Sequence, residues 1–412
     1  MKKTHRRSFV KQLFTGVAGT VLLSSYKGIE TDNAPILFNS KDTSEDFWKR
    51  VKSQYKFAPK LRYFNNGSLG SCPIPVQNAT NKFRATLDAY PSKYMWGGWQ
   101  NEKEEVRQKV ASFFSVSKEE IALTHNTTEG MNLIARSFNL EKGDEVIMID
   151  HEHKSAVIPW TVWQEEKGIK LVRPVIPILP KTVDEIVKVY EKAITPRTKV
   201  ISMCHVINTN GMILPVKEVS EMAHKKGVLV AVDGAQAPGM FNINLKRLGC
   251  DFYTASAHKW LFAPKGISVF YAKEESQHYL KPLMVANGHR DTSIRRLENY
   301  NTRNLPELLG LGSAIDFINK IGMDKIHKRS YELKQYFRDK VKDNNKFLLK
   351  SPELDELSCA IQTLEVVGKN VRDVRNTLRD DYHIDVRPMS TYDLNGIRIS
   401  FAIFITKKDI DY

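Results

Sequence analysis

Lys259 stands in "DFYTASAHKWLFAPKG" (Asp251–Gly266), among small and apolar residues rather than on a charged face. A lysine withdrawn from water loses its preference for the charged form and becomes a nucleophile toward carbonyls. Ser256 and His258 flank it and can donate to a phosphate. Upstream, Asp233 closes the apolar run "VLVAV", where a carboxylate is costly unless it meets a cation. Gln236 follows one helical turn later. A third cluster, "THNTTEG" (Thr124–Gly130), lies between strand-like and helix-like segments. Unpaired N–H groups at a helix N-terminus, with the hydroxyls of Thr127 and Thr128, suit an anion. Each cluster also has a plainer reading: a snorkelling lysine, a helix cap by Asp233, and a threonine N-cap with Glu129 in the first turn.

Jointly the three clusters call for one chemistry. A lysine that takes an aldehyde, a carboxylate for a pyridinium nitrogen and a phosphate cradle are the needs of pyridoxal 5′-phosphate. The aspartate keeps the ring nitrogen protonated, so the ring can draw electrons from a substrate Cα. Lys259 holds the aldehyde and, once displaced, its amine can carry the proton.

Such residues need a scaffold that brings them to one edge. From about Asn101 the chain alternates helical and extended patterns. Glu102–Phe114 predicts an amphipathic helix, "IALT" a strand, "TEGMNLIARSF" a helix, "EVIMI" a strand and "AVIPWTVWQEEKG" a helix ending at Gly168. "KLVRPV", "VKVYEKAI", "KVISMCHV", "VKEVSEMAHKKG" and "VLVAVD" continue the series. The short, continuously apolar strands predict an α/β protein with a mostly parallel sheet buried on both faces. In such sheets, sites form beyond the carboxyl ends of the strands. "LPELLGLGSAIDFINKIG" predicts a long helix. Strands near "SCAIQTLEV", "HIDVRP" and "GIRISFAIF" predict a smaller C-terminal domain.

The 412 residues are 42% hydrophobic and 26% charged, which excludes wholesale disorder. The net charge of +15 comes without an arginine-rich run, zinc spacing or basic–aromatic stripe, so nucleic acid is not an expected partner. The charge suits solubility and attraction to anionic substrates. The four cysteines, Cys72, Cys204, Cys250 and Cys359, have no C-x-x-C spacing, and neither a disulfide framework nor a metal site is expected. Near the N-terminus, "THRRSFVKQLFTGVAGTVLLSS" joins a basic segment to an apolar stretch, Leu13–Leu23, too short to span a bilayer comfortably. Arg6–Arg7–Ser8–Phe9–Val10–Lys11 resembles a twin-arginine export motif. An exported, periplasmic protein with no membrane anchor after processing is the expectation.

The order "TTEG … HEH … HVINTNG … VDGAQAPG … SAHKW" resembles the class V aminotransferase family, from about Tyr63 to Thr406, closest to its cysteine desulfurase and isopenicillin N epimerase branches. The resemblance implies the pyridoxal-phosphate-dependent transferase fold type I. That means a large domain with a mostly parallel, seven-stranded sheet between helices, and a smaller α+β domain. The implied bounds are 1–29 for the export signal, 30–60 for an N-terminal segment, 61–300 for the large domain and 301–412 for the small one. It further implies that His153 stacks on the pyridine ring, that Thr127, Thr128, Ser256 and His258 bind the phosphate, and that Lys259 takes the aldehyde. Asn208 and Gln236 would lie near the phenolic oxygen, and Asn208 near the substrate. Arg398 would clamp the carboxylate of an amino-acid substrate, a task suited to a forked guanidinium. Thr302, in "YNTRN", resembles a segment that a second subunit lends to the phosphate, which implies a homodimer with shared sites. Asn301 replaces the usual glycine there.

Two departures narrow the activity. Desulfurases of this family carry a nucleophilic cysteine shortly before the clamp arginine, but "VRPMSTYDLNGIR" has none. The usual Tyr-Asn-Thr after the clamp reads Phe404–Ile405–Thr406. The expected function is an aminotransferase or an isopenicillin N epimerase-like enzyme acting at Cα. The alternatives are a lyase or desulfurase without the loop cysteine, and a non-catalytic exported binding protein on the same scaffold. "PSKYMWGGWQ" (Pro91–Gln100) is a candidate pocket wall or plain packing.

Overall fold

Seven short strands form the main sheet: β1 (Ile121–Thr124), β2 (Glu145–Ile147), β3 (Lys170–Val172), β4 (Thr198–Cys204), β5 (Leu229–Asp233), β6 (Phe252–Ser256) and β7 (Ser268–Ala272). Their order across the sheet is β1-β7-β6-β5-β4-β2-β3. The computed structural model describes residues 42–391 and 394–412, so the expected export signal lies outside the described residues.

Every pair from β6 through β3 is parallel, while β7 runs antiparallel to both β6 and β1. β1 therefore points the same way as β6, and Thr124, Cys204, Asp233 and Ser256 all end at one edge. Cys204 is in register with Asp233. β1, β2, β6 and β7 are buried at every position, as a sheet covered on both faces requires. The strand–helix alternation announces β1 to β5, five of the seven strands. It does not announce β7, which follows β6 without a helix between them.

The helices sit where the apolar spacing places them. Thr127–Ser137 follows β1, and Lys154–Lys167 ends on Gly168 in the left-handed region at φ 70°. Trp160, wholly buried against the sheet, donates its indole N–H to Ser202 Oγ at 3.1 Å. Gly130 allows close approach of its helix, since a Cβ there would meet the Thr254 side chain at 2.1 Å. The helix Leu305–Ile321 is buried over most of its circumference and packs on the helices Ile74–Ala89 and Gln100–Phe114.

A second sheet is antiparallel throughout. Its strands β8 (Phe347–Leu349), β9 (Ile361–Val366), β10 (Arg387–Thr391) and β11 (Leu394–Ser400) stand in the order β10-β11-β9-β8. Arg398 is opposite Thr363 on one side and Arg387 on the other. The N-terminal loop is stitched to this part of the chain, with Arg62–Tyr63 pairing in parallel with Ile384–Asp385.

Candidate active site

A cleft of about 310 Å³ opens at the carboxyl edge of the main sheet. Thr127, Thr128, His153, Asn208, Asp233, Gln236, Ser256, His258 and Lys259 all line it, joined by Ser68, Asn126 and Cys204. Its size lies in the range of ordinary small-molecule sites. Of the candidates singled out in the sequence, Arg398 and Thr302 are not in its lining.

One end is built from hydroxyls. The Thr127 N–H donates to Ser256 Oγ at 3.0 Å, and the Ser256 N–H donates to Thr127 Oγ1 at 2.8 Å. Thr127 does not cap its helix. Asn126 does, accepting from the Glu129 N–H at 2.9 Å, which leaves Thr127 and Thr128 in the first turn, where both line the cleft. His258 Nδ1 is buried without a partner. Its imidazole is pushed down to about 4 by burial and by the positive charges of Lys259 and Lys265.

Asp233 is the one carboxylate in the lining. It is buried, and Oδ1 accepts from the Ala235 N–H at 2.9 Å, so it does cap a local turn. Burial raises its carboxyl, against the pull of the Ala235 N–H, Lys259 and His153. Lys259 has no salt bridge among the described residues, and burial brings its ammonium down to about 8, against the pull of Asp233. Arg398 and Arg387 push in the same direction as burial. The backbone of Lys259 is held tightly: the Gly70 N–H donates to His258 O at 2.8 Å, and a Cβ on Gly70 would meet Lys259 O at 2.0 Å.

His153 begins the helix Lys154–Lys167, its Nδ1 accepting from the Ser155 N–H at 3.3 Å. The residue is exposed and lines the cleft. Loss of solvation lowers its titration against the pull of Asp233, with Lys259 adding to the lowering. Gln236 is fixed at both ends, donating to Gly67 O at 2.8 Å and accepting from the Trp260 indole at 2.9 Å. Arg398 is 2% exposed. It donates to Asn208 O at 3.0 Å, Ser68 Oγ at 2.6 Å and Asn65 Oδ1 at 3.3 Å, and its Nε is buried without a partner. All its acceptors are neutral. Burial and Arg387 bring it down to about 9.

Thr302 is exposed and away from this cleft; Asn301 before it takes the left-handed backbone at φ 59°, which asparagine tolerates where glycine is usual. The segment Pro91–Gln100 does not line the Lys259 cleft. It borders another, of about 390 Å³, beside Arg107, Glu298 and Asn301, and Trp99 packs on Tyr94 and Phe83. Sequence reasoning missed Asn65, Gly67 and Ser68, which hold Arg398 and Gln236. They lie in "FNNGSLG", far from both partners in the chain, and no local pattern marks them. It also missed Glu152, whose carboxyl accepts from the Cys204 N–H at 2.9 Å and is raised by burial to about 8.

An amine withdrawn from water, a buried carboxylate and a hydroxyl-lined end fit pyridoxal 5′-phosphate, and the fold and cleft together define an enzyme of pyridoxal-phosphate fold type I. The comparisons agree. The family model "Aminotransferase class-V" matches residues 75–412, and the chain belongs to that family. It is 28% identical over 383 residues to an isopenicillin N epimerase of Amycolatopsis lactamdurans, covering 88% of this chain and 96% of that one. It is 33% identical over 380 residues to a probable cysteine desulfurase of Halalkalibacterium halodurans, covering 85% and 91%. The apo cysteine desulfurase of Thermococcus onnurineus superposes with a TM-score of 0.79 at 25% identity, covering 88% and 95%. Pyridoxal phosphate is the cofactor of this family. When bound, it supplies an electron sink for the substrate Cα.

Proposed function

We propose that the protein binds an α-amino acid and breaks its Cα–H bond, ending in amino-group transfer or epimerisation. The observation that carries this reading is the pairing of Lys259, an amine near neutrality, with Arg398, a buried guanidinium that has no carboxylate partner. Lys259 would hold the cofactor aldehyde, and its amine, brought down to about 8, is placed to carry a proton at the substrate Cα. Arg398 and Asn208 hold the substrate carboxylate. Asp233 would hold the proton of the ring nitrogen, and His153 would flank the ring. Thr127, Thr128, Ser256 and His258 hold the phosphate.

The cysteines favour this outcome over sulfur transfer. All four are buried. Burial pushes the thiols of Cys72 and Cys359 up to about 11 and about 12, and raises those of Cys204 and Cys250 well above the ordinary thiol range. No cysteine follows Cys359 in the chain. Cys204 lines the cleft and Cys359 lies within electrostatic reach of Arg398, but burial disfavours the thiolate of both, so neither is a ready nucleophile. The test is an amino-acid panel in D₂O. We expect deuterium at Cα with either a keto acid or the opposite enantiomer; sulfide from cysteine as the main product would overturn the reading.

We further propose export by the twin-arginine route and a homodimer in which Thr302 reaches the partner's phosphate site. The first rests on Arg6, Arg7, Phe9 and Lys11, the second on the "YNTRN" resemblance. Lysine at both Arg6 and Arg7 should leave cofactor-loaded protein in the cytoplasm. Thr302→Ala should weaken cofactor binding without changing Lys259 reactivity. A cytoplasmic wild type retaining Leu13–Leu23, or unchanged cofactor affinity in the variant, would remove the respective proposal.

A further inference from the structure

Arg387 and Arg398 face each other across the β10–β11 ladder. Directly opposed residues of an antiparallel pair project from the same face, with Cβ atoms about 5 Å apart, and like charges there are destabilising. Here Arg387 is exposed and forms no salt bridge among the described residues. Arg398 spends its donors on Asn208 O, Ser68 Oγ and Asn65 Oδ1, all uncharged. Of the other buried arginines, Arg338 also donates to neutral acceptors, Pro352 O and Gln362 Oε1, but it lies away from the cleft and two others are balanced. Arg107 meets Glu298, and Arg329 meets Glu45 and Glu332. The charge of Arg387 also reaches the cleft, for it is among the causes that lower Lys259, His153 and Arg398. Arg387 and Arg398 thus set two positive charges beside a cleft whose lining holds one carboxylate, Asp233.

We propose that Arg387 is a second anion-binding residue, which makes the substrate an amino acid with an acidic group on its side chain. This rests on the reading of Arg398 as the α-carboxylate clamp. A forked guanidinium held beside the clamp suits a second carboxylate or a group of like shape, and a bound dianion removes the repulsion between the two strands. Arg387 is then a residue of specificity, since neutral amino acids leave it unpaired.

The test uses the cofactor-loaded enzyme and the absorbance change on adding amino acid. L-Aspartate, L-glutamate and L-2-aminoadipate are compared with L-2-aminobutyrate, L-norvaline and L-norleucine, which match them in chain length. Wild type should bind at least one acidic member about tenfold or more tighter than its neutral match. Arg387→Gln should erase that preference and change neutral binding by less than about twofold. Arg387→Lys, which keeps the charge and loses the fork, should fall between. As Arg387 is exposed and opposed by a like charge, Arg387→Gln should melt no lower than wild type, which separates recognition from folding. Equal affinities in wild type, or a variant that weakens both classes alike, would overturn the proposal while leaving the amino-acid reading intact. No response to any amino acid, with cofactor still fixed on Lys259, would overturn the amino-acid reading itself.

Discussion

Arg107 and Arg398 are both closed off from solvent, one where the helix Gln100–Phe114 meets β1 and the other at the cleft. Arg107 Nη1 and Nη2 donate to the Glu298 carboxylate at 3.0 and 2.6 Å, Nε donates to Glu104 at 3.1 Å, and Nη1 also reaches Ile121 O at 2.9 Å. Glu298 in turn accepts from the Leu123 N–H at 2.6 Å. Every charge in that joint has its counter-charge, and Arg107 is held above its ordinary titration despite burial. Arg398 has only neutral acceptors and an orphaned Nε, and is held below its ordinary titration. Removing a cation from water costs several kcal/mol unless an anion offsets it. At Arg107 the fold supplies the anion. At Arg398 it does not, and an anionic ligand is what would complete the site. The same contrast covers Lys259, a cation with no salt bridge in a cleft with one carboxylate.

The contrast breaks most sharply at Lys259. Lys259→Ala should abolish turnover and the borohydride-fixed mass of cofactor, while apoprotein stability holds or rises because an unbalanced cation has gone. A wild-type level of fixed cofactor would remove Lys259 from its role. The opposite behaviour belongs to Arg107. Arg107→Met leaves Glu298 buried and unpaired, and should cost about 3–5 kcal/mol in urea unfolding. Loss of less than about 1 kcal/mol would show that the joint is not held by charge. Asp233→Asn should keep the cofactor bound and lower kcat by about a hundredfold or more, since an amide cannot hold the pyridinium proton electrostatically. Near wild-type kcat would reassign Asp233 to capping its local turn.

The balanced and unbalanced regions differed in how far the sequence disclosed them. The parallel strands are apolar runs, and the clusters after β1, β5 and β6 read directly as site residues because a strand end is a local event. Thr127, Asp233 and Lys259 were legible for that reason. β7 was not, because it returns antiparallel without the helix that punctuates the others. The pairing of Arg107 with Glu298, and the cradle of Asn65, Gly67 and Ser68 around Arg398 and Gln236, join residues distant in the chain, and no period or cap marks them. The fork of Arg398 was suggested by the family resemblance, but its burial and lack of a counter-charge needed the β9–β11–β10 register. Of the two readings that composition left open for Pro91–Gln100, the packing one fits: Trp99 packs on Tyr94 and Phe83, and the segment stands beside Arg107 and not at the Lys259 cleft.

A smaller effect is expected at Arg398 itself. Arg398→Gln should lower kcat/KM by roughly tenfold to a hundredfold, the range for hydrogen bonds to a charged group. KM should carry most of the loss, because the carboxylate is bound alike in the ground and transition states. Its urea midpoint should not fall, in contrast to Arg107→Met. A drop in stability with unchanged KM would place Arg398 among the structural arginines.

The smallest effect is a pH dependence that belongs to the cleft alone. In the folded apoprotein Lys259 titrates at about 8, below its ordinary 10.5. Between those values the unfolded chain holds a proton that the native state has released, so unfolding free energy rises with pH across that window. Above about 10.5 both states are neutral and the penalty is gone; below about 8 both are charged and the penalty is fully present. Lys259→Met removes the group from both states. Its advantage over wild type should therefore be greatest near pH 7.5 and shrink as pH approaches 10. Cleft water screens the charge, so we expect a change of about 1–2 kcal/mol rather than the full value of the shift. Comparing the two apoproteins cancels the titration of buried tyrosines such as Tyr55 and Tyr190, which burial raises in both. Urea unfolding at several pH values decides it. A stability difference that is flat with pH would mean that Lys259 is solvated like a surface lysine, and the contrast with Arg107 would then rest on Arg398 alone.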